Sequence, residues 1–117
     1  GSAAAQAMLK RLRAAREAFV QVVDFVAGNS KASPNAVFAG SVPYLMLAGN
    51  LMAGWQMARS LLVAEDKLAA GVEAEFMQAK IATARFYAEH ILSKAPGVRD
   101  SIVDGHAAVT EMALEAF

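Results

Sequence analysis

Cysteine is absent from this 117-residue sequence, and its absence excludes disulfides, thiolate metal sites and thiol catalysis. Net charge is absent too, because eleven basic residues balance eleven acidic ones. A neutral chain exerts no long-range attraction on nucleic acid or on an anionic membrane surface. Since no cysteine reports on the redox state of the compartment, we take the cytoplasm as the simplest location.

Proline and aromatic residues are scarce: the chain has three prolines and 8% aromatics, whereas apolar residues make up 56%. The apolar residues are mainly Ala, Leu, Val and Met, a composition that favours helices. No segment shows the strict alternation of a half-buried strand. We therefore predict an all-α protein, in which the six methionines serve mainly as flexible core filler.

Catalytic motifs are missing as well. There is no Gly-rich phosphate loop, Walker lysine or Rossmann fingerprint. Neither His90 nor His106 has the glutamate three residues earlier that di-iron bundles use, so each is interpreted as a structural histidine. Ser41, Ser60 and Ser93 lack a His and Asp that helical periodicity would bring beside them. We assign no catalytic, cofactor-binding or metal-binding residue to this chain.

Helical periodicity is what the sequence does contain, in four segments joined by short turns. The predicted helices cover about 3–28, 34–70, 72–95 and 97–116. Such a pattern predicts an antiparallel up-down-up-down four-helix bundle. The long second helix would be central, and Pro43 should kink or interrupt it near Gly40-Ser41. We expect Ala95-Pro96-Gly97 to end the third helix.

The first two residues, Gly1-Ser2, are interpreted as a remnant of cloning, so the rest would be an excised part of something longer. Residues 3–117 are then expected to form a single helical domain.

One stretch, Val42 to Arg59, is apolar on nearly every side of a helical wheel, and no charge occurs from Ala32 to Ala58. Such a helix is either the buried centre of a bundle or a membrane span. The stretch is long enough to span, but Pro43, Asn50 and three glycines argue against insertion. We predict the buried centre of a bundle.

Several side chains are candidates for contacts between domains or subunits. Two aromatic residues of the central helix each need a polar partner if buried. Two cations of the third helix flank its apolar stripe and are either solvated or paired with acids of another domain. The candidates are Tyr44, Trp55, Arg59, Lys80 and Arg85.

The segment Lys80-Ile81-Ala82-Thr83-Ala84-Arg85-Phe86-Tyr87-Ala88-Glu89-His90-Ile91-Leu92 closely resembles part of the extra C-terminal domain of certain bacterial acyl-CoA dehydrogenases. Pro43-Tyr44-Leu45, Gly54-Trp55 and Ala58-Arg59 are similar to the central helix of that domain, and the tail Met112-Ala113-Leu114-Glu115-Ala116-Phe117 resembles the end of those enzymes. The resemblance covers essentially the whole chain from Ala3.

The resemblance implies a helical domain appended to a flavoprotein. Such enzymes abstract an α-proton from acyl-CoA with a glutamate, pass hydride from the β-carbon to FAD and deliver electrons to an electron-transfer flavoprotein. The catalytic glutamate and the flavin-binding residues of the family lie in preceding domains, so none is carried over to this chain. We expect an accessory domain that docks on the dehydrogenase body or across its homo-oligomer and covers part of the acyl-CoA or flavin site.

Two alternatives stay open at this point. The Gly-, Ala- and Met-rich seam between the second and third helices fits a free-standing bundle that self-associates or binds an apolar ligand. A weaker reading is peripheral attachment to a membrane through Val42–Met57.

Overall fold

The structure is a computed structural model that describes residues 1–117. The helices are α1 (Ala3–Asn29), α2 (Pro34–Ala39), α3 (Ser41–Ala69), α4 (Ala74–His90), α5 (Ala95–Val103) and α6 (His106–Thr110). Short 3-10 turns cover Leu92–Lys94 and Leu114–Ala116. There are no strands, and the predicted all-α class is confirmed.

Helix α1 begins and ends close to the predicted positions because local hydrogen bonds close both ends. The Ser2 hydroxyl accepts a hydrogen bond from the Ala5 N–H at 3.0 Å, which is an ordinary N-cap contact. The same hydroxyl donates to a carboxylate oxygen of Glu65 on α3. At the other end the Asn29 side-chain amide donates to the carbonyl of Phe25 at 2.9 Å.

The predicted helix 34–70 is divided at Gly40 into α2 and α3, so it is not one long helix kinked at a proline. The first intrahelical bond of α3 runs from the Tyr44 N–H to the Gly40 carbonyl. Pro43 therefore lies in the first turn of α3, where a missing N–H costs no hydrogen bond. A Cβ at Gly40 would lie 3.0 Å from Cγ2 of Ile102, so close packing against α5 favours glycine at the break.

Helix α3 runs antiparallel to both of its long neighbours. Its end approaches the start of α1 through Glu65 and Ser2, and its start approaches the second half of α1, where the Tyr44 and Phe19 rings lie 5.9 Å apart. Against α4, the Tyr87 hydroxyl donates to the Asn50 carbonyl at 2.7 Å.

The chain does not reverse after α4, and the up-down-up-down four-helix bundle is not confirmed. Instead α5 and α6 continue along α1, as shown by the Arg99 to Gln21 hydrogen bond and by the Phe25 and His106 rings 5.2 Å apart. Pro96 lies in the first turn of α5, where proline is tolerated, and so begins a helix instead of ending one. The molecule thus has three helical rows: α1, α3, and the series α4 to α6.

The result is a thin, elongated slab of 64 × 28 × 17 Å. Its core is wholly apolar, with Leu61, Leu92, Ile102 and Val22 as the largest fully buried side chains. Only 17 of 117 residues are buried, so many apolar side chains lie at the surface. None of the helices combines the length and hydrophobicity needed to cross a membrane.

Candidate interaction surface

Helix α3 is apolar on nearly every side over Val42–Ala58, but it is buried on one side only. Its buried residues are Leu47, Gly54, Leu61 and Ala64. The prediction that this helix forms the buried centre of a bundle is wrong. The physical reason is the missing fourth row, since α1 and α4 flank α3 and α5 continues α4 instead of covering the outer side.

The outer side of α3 carries a set of exposed apolar residues that we call the apolar face. Their exposed fractions lie between 61% and 75%. No charged residue interrupts the chain until Arg59. Exposed apolar patches of this kind are candidates for sites of interaction. The apolar face consists of Val42, Leu45, Met46, Met52 and Trp55.

The methionines divide between core and surface. Met8 and Met77 are buried, as expected for core filler, whereas Met46, Met52 and Met112 are more than half exposed. Unbranched, polarisable methionine side chains adapt to the shape of a partner. Met46 and Met52, which belong to the apolar face, are therefore suited to a contact surface.

A first groove, the α1–α3 groove, runs beside the apolar face. It encloses about 370 Å³, and every lining residue but one is apolar. Trp55 lies on its α3 side and Phe19 on its α1 side. The groove therefore widens the apolar face toward α1. It is lined by Leu12, Arg16, Phe19, Val20, Leu51, Met52 and Trp55.

A second groove, the cationic groove, lies between the end of α3 and the start of α4. It has a volume of about 430 Å³. Arg59 and Lys67 line it from α3, Lys80 lines it from α4, and no acidic residue lines it. The Lys80 ammonium nitrogen lies 5.5 Å from the centroid of the Phe76 ring, within the range of a cation–π contact.

The structure separates the five candidate interface residues into two groups. Trp55, Arg59 and Lys80 are exposed and line the two grooves. Tyr44 is half-buried and packs against the core of its own domain. Arg85 pairs with Glu89 one turn away, with 3.6 Å between Nε of the arginine and Oε2 of the glutamate. At 3.6 residues per turn, Arg85 lies about 140° around α4 from Lys80. Their roles in an interface stay a prediction.

Tyr87 makes a structural contact between helices that the sequence did not predict. Its hydroxyl donates to the Asn50 carbonyl and joins α4 to α3. Burial raises the pKa of this phenol above its ordinary value. The sequence signal for this contact was a single tyrosine next to the apolar stripe of α4, because a tyrosine hydroxyl needs a hydrogen-bond partner once it is partly buried.

Both histidines make contacts within the domain. His90 stacks on Phe86 with ring centroids 4.4 Å apart, and Nδ1 of His106 lies 3.0 Å from the carbonyl oxygen of Val103. No three His, Asp or Glu side chains come together as a metal site would require. No polar or charged residue is buried in the domain.

Comparison with known proteins adds to this picture. A family described as acetyl-CoA dehydrogenase C-terminal like matches residues 2–113. The 3-methylmercaptopropionyl-CoA dehydrogenase of Ruegeria pomeroyi is 47% identical over 104 residues, which are 89% of this chain and 18% of that enzyme. The broad-specificity linear acyl-CoA dehydrogenase of Mycobacterium tuberculosis is 38% identical over 66 residues, which are 54% of this chain and 11% of that enzyme. No solved structure matches the chain.

Proposed function

The chain belongs to the acetyl-CoA dehydrogenase C-terminal-like family, and on that premise we propose that it is the accessory C-terminal domain of an FAD-dependent acyl-CoA dehydrogenase. It spans less than a fifth of the length of the relatives it matches. The rest of such an enzyme would precede it. The domain contributes packing between domains or subunits and carries out no catalysis of its own.

The observation that supports this proposal is the apolar face of α3. Leu45 is 75% exposed and Met52 is 69% exposed, although each is a residue type that is usually buried. Removing a Leu or Met side chain from water contributes roughly 1.5–3 kcal/mol. A partner surface that covers this face would therefore gain substantial stability, and a dehydrogenase body on the same chain is always close enough to supply one.

In this proposal FAD, acyl-CoA and the catalytic glutamate belong to the preceding domains, and an electron-transfer flavoprotein accepts the electrons. The parent enzyme is cytoplasmic and homo-oligomeric. Docked through the apolar face, the slab would cover part of the acyl-CoA site and exclude water from it. Water exclusion strengthens electrostatic interactions between the reacting groups.

Deletion of residues 3–117 from the parent enzyme tests the accessory role. We expect a lower melting temperature together with reduced dehydrogenase activity or a changed subunit number, because the deletion exposes the body surface that the domain covers. The parent enzyme without the domain would contradict the proposal if it kept its activity, its melting temperature and its subunit number.

The docking surface can be tested separately because this chain has no cysteine. We expect a cysteine at Met52→Cys to react quickly with a maleimide in the 117-residue chain and at least about tenfold more slowly in the parent enzyme. The control is Gln78→Cys, an exposed position that lines neither groove and should react equally fast in both. Peptide mass spectrometry distinguishes these positions from other cysteines of the parent. Equal rates at position 52 would exclude docking through the apolar face.

A further inference from the structure

The cationic groove has a charge distribution that nothing inside the domain explains. Arg59, Lys67 and Lys80 are all exposed and face one concavity. The ion pairs of the chain involve only Arg85 and Arg99. Glu65, Asp66 and Glu75 are the acids next to the groove residues in sequence, and none of them lines the groove. The three cations therefore repel one another with no carboxylate between them.

Other polar groups of the cationic groove are also able to donate. Gln56 and Ser60 extend along α3 beside Arg59 and offer amide and hydroxyl donors. The Phe76 ring holds the Lys80 ammonium at 5.5 Å, which favours one position of an otherwise flexible side chain. The groove is thus suited to an acceptor-rich, negatively charged occupant.

The position of the groove indicates which occupant this is. Arg59 follows Trp55 of the apolar face by one helical turn, so any surface that covers the apolar face reaches the mouth of the groove. Covering a cation without giving it an acceptor is strongly unfavourable. Docking on the apolar face is therefore favoured by a partner that presents carboxylates opposite the groove, since these pair with the cations that docking covers.

The two grooves also differ in charge, and this difference would set the orientation in which a partner docks. The α1–α3 groove has Arg16 as its single charged residue, whereas the cationic groove has three cations. A partner with one apolar half and one acidic half fits in a single orientation, because charge complementarity fixes register more than it adds affinity.

We propose that the cationic groove receives an acidic segment of the dehydrogenase body that precedes this domain, with Arg59, Lys67 and Lys80 pairing with its Asp or Glu side chains. The inference rests on the proposed function, since more than four-fifths of each matched relative lies outside the part that aligns with this chain. It goes beyond that function by stating the chemistry of the partner surface and the residues that recognise it.

Carbodiimide coupling of the intact parent enzyme tests the proposal, because this reagent joins a lysine amine to a carboxylate only where the two are in contact. We expect cross-linked peptides that join Lys67 or Lys80 to Asp or Glu residues preceding residue 3. Lys10 and Lys31 are the control lysines, since both are exposed and line neither groove; they should give no such products.

A charge reversal adds a quantitative readout. Lys80→Glu should raise the maleimide reactivity of Met52→Cys in the parent enzyme by at least about tenfold, the effect of losing about 1.4 kcal/mol of docking energy. Lys10→Glu should leave that reactivity unchanged. If position 52 is protected but Lys67 and Lys80 cross-link no more than the control lysines, the acidic partner is excluded while docking stands. If position 52 is unprotected from the start, the proposed function itself fails.

Discussion

The two sides of α3 are both largely apolar, yet their environments are opposite. The inner side, with Leu47, Gly54, Leu61 and Ala64, is buried against α1 and α4, whereas the apolar face beyond it is largely exposed. Leu61 is 1% exposed and Leu45 is 75% exposed on the same helix. Hydrophobicity therefore does not distinguish a core position from an exposed position; only the arrangement of neighbouring helices does.

This comparison also explains why so small a domain has so apolar a sequence. In a thin slab each helix has few neighbours within the domain, so much of its apolar surface stays exposed, where we propose that a partner covers it. The inner side of α3 folds the domain, and the outer side is available to attach it.

The largest difference in the free energy of unfolding is expected between alanine variants of one leucine on each side of α3. Leu61→Ala should lower the free energy of unfolding by about 2–5 kcal/mol, because it removes a buried side chain and leaves a cavity. Leu45→Ala should change it by less than about 0.5 kcal/mol, since that side chain is mostly solvated. Urea titration followed by circular dichroism measures both. Similar losses for the two variants would mean that the apolar face contributes to the core.

Two glycines of α3 give a second matched pair. A Cβ at Gly54 would lie 2.8 Å from Cδ2 of Leu92, which is itself fully buried, whereas a Cβ at Gly49 meets nothing within 4 Å. Gly54→Ala should destabilise by about 1–3 kcal/mol through overpacking, partly offset by the better helix propensity of Ala. Gly49→Ala should stabilise by up to about 1 kcal/mol. Thermal unfolding of both variants would show shifts of opposite sign; a stabilised Gly54→Ala would indicate that Leu92 repacks freely.

A smaller effect is expected at the polar contact between α3 and α4. Tyr87→Phe should cost about 0.5–1.5 kcal/mol by removing the hydrogen bond to the Asn50 carbonyl. Because the folded state raises the pKa of Tyr87, the contribution of this phenol is fully present below about pH 10, the ordinary value, and is lost as pH rises through the folded pKa.

Urea titrations of the wild-type chain and Tyr87→Phe across this alkaline range isolate the effect, since all other titrating groups are common to both. The difference in stability should shrink at the highest pH. A constant difference would mean that the phenol does not titrate within the range.

The smallest effect is expected at the solvated ion pair on the far side of α4. Arg85→Ala removes an exposed pair with Glu89 in the same helix and should cost less than about 0.5 kcal/mol. Raising the salt concentration should reduce even this loss. A cost of several kcal/mol in chemical denaturation would show that Arg85 makes a contact the structure does not contain.

The outer ends of the first two predicted helices agree closely with the structure, but those of the last two do not. Helix α4 ends at His90 and not near residue 95, and the predicted helix 97–116 is divided into α5 and α6. The first helix was predicted within one residue of its observed end, because Gly28-Asn29 is a local signal. The interruption at Gly40-Ser41 was also predicted. The position of Pro43 in the first turn of α3 was not, because the sequence alone does not distinguish a proline in a first turn from a proline at a kink. At Ala95-Pro96-Gly97 the same ambiguity gave a wrong end to the third helix.

The candidate interface residues were predictable only in part. Trp55, Arg59 and Lys80 stood out as residue types that favour interfaces, and the structure brings Arg59 and Lys80 to one groove. Lys67 was missed because it occurs in a charged run at the end of a helix, where a solvated lysine is ordinary. Tyr44 and Arg85 make contacts within the domain, and the interface role of all five candidates stays a prediction.

The sequence by itself determined the helical class, the family and the apolar character of α3, because propensity, local motifs and composition are properties of residues and their near neighbours. The tertiary structure alone decided that the chain runs on after α4 instead of turning back, and hence that one side of α3 stays uncovered. A helix that is apolar on every side has no periodicity to indicate which side is buried. That choice depends on which other helices reach it, and a 3-10 turn of three residues at Leu92–Lys94 directs the last helices elsewhere.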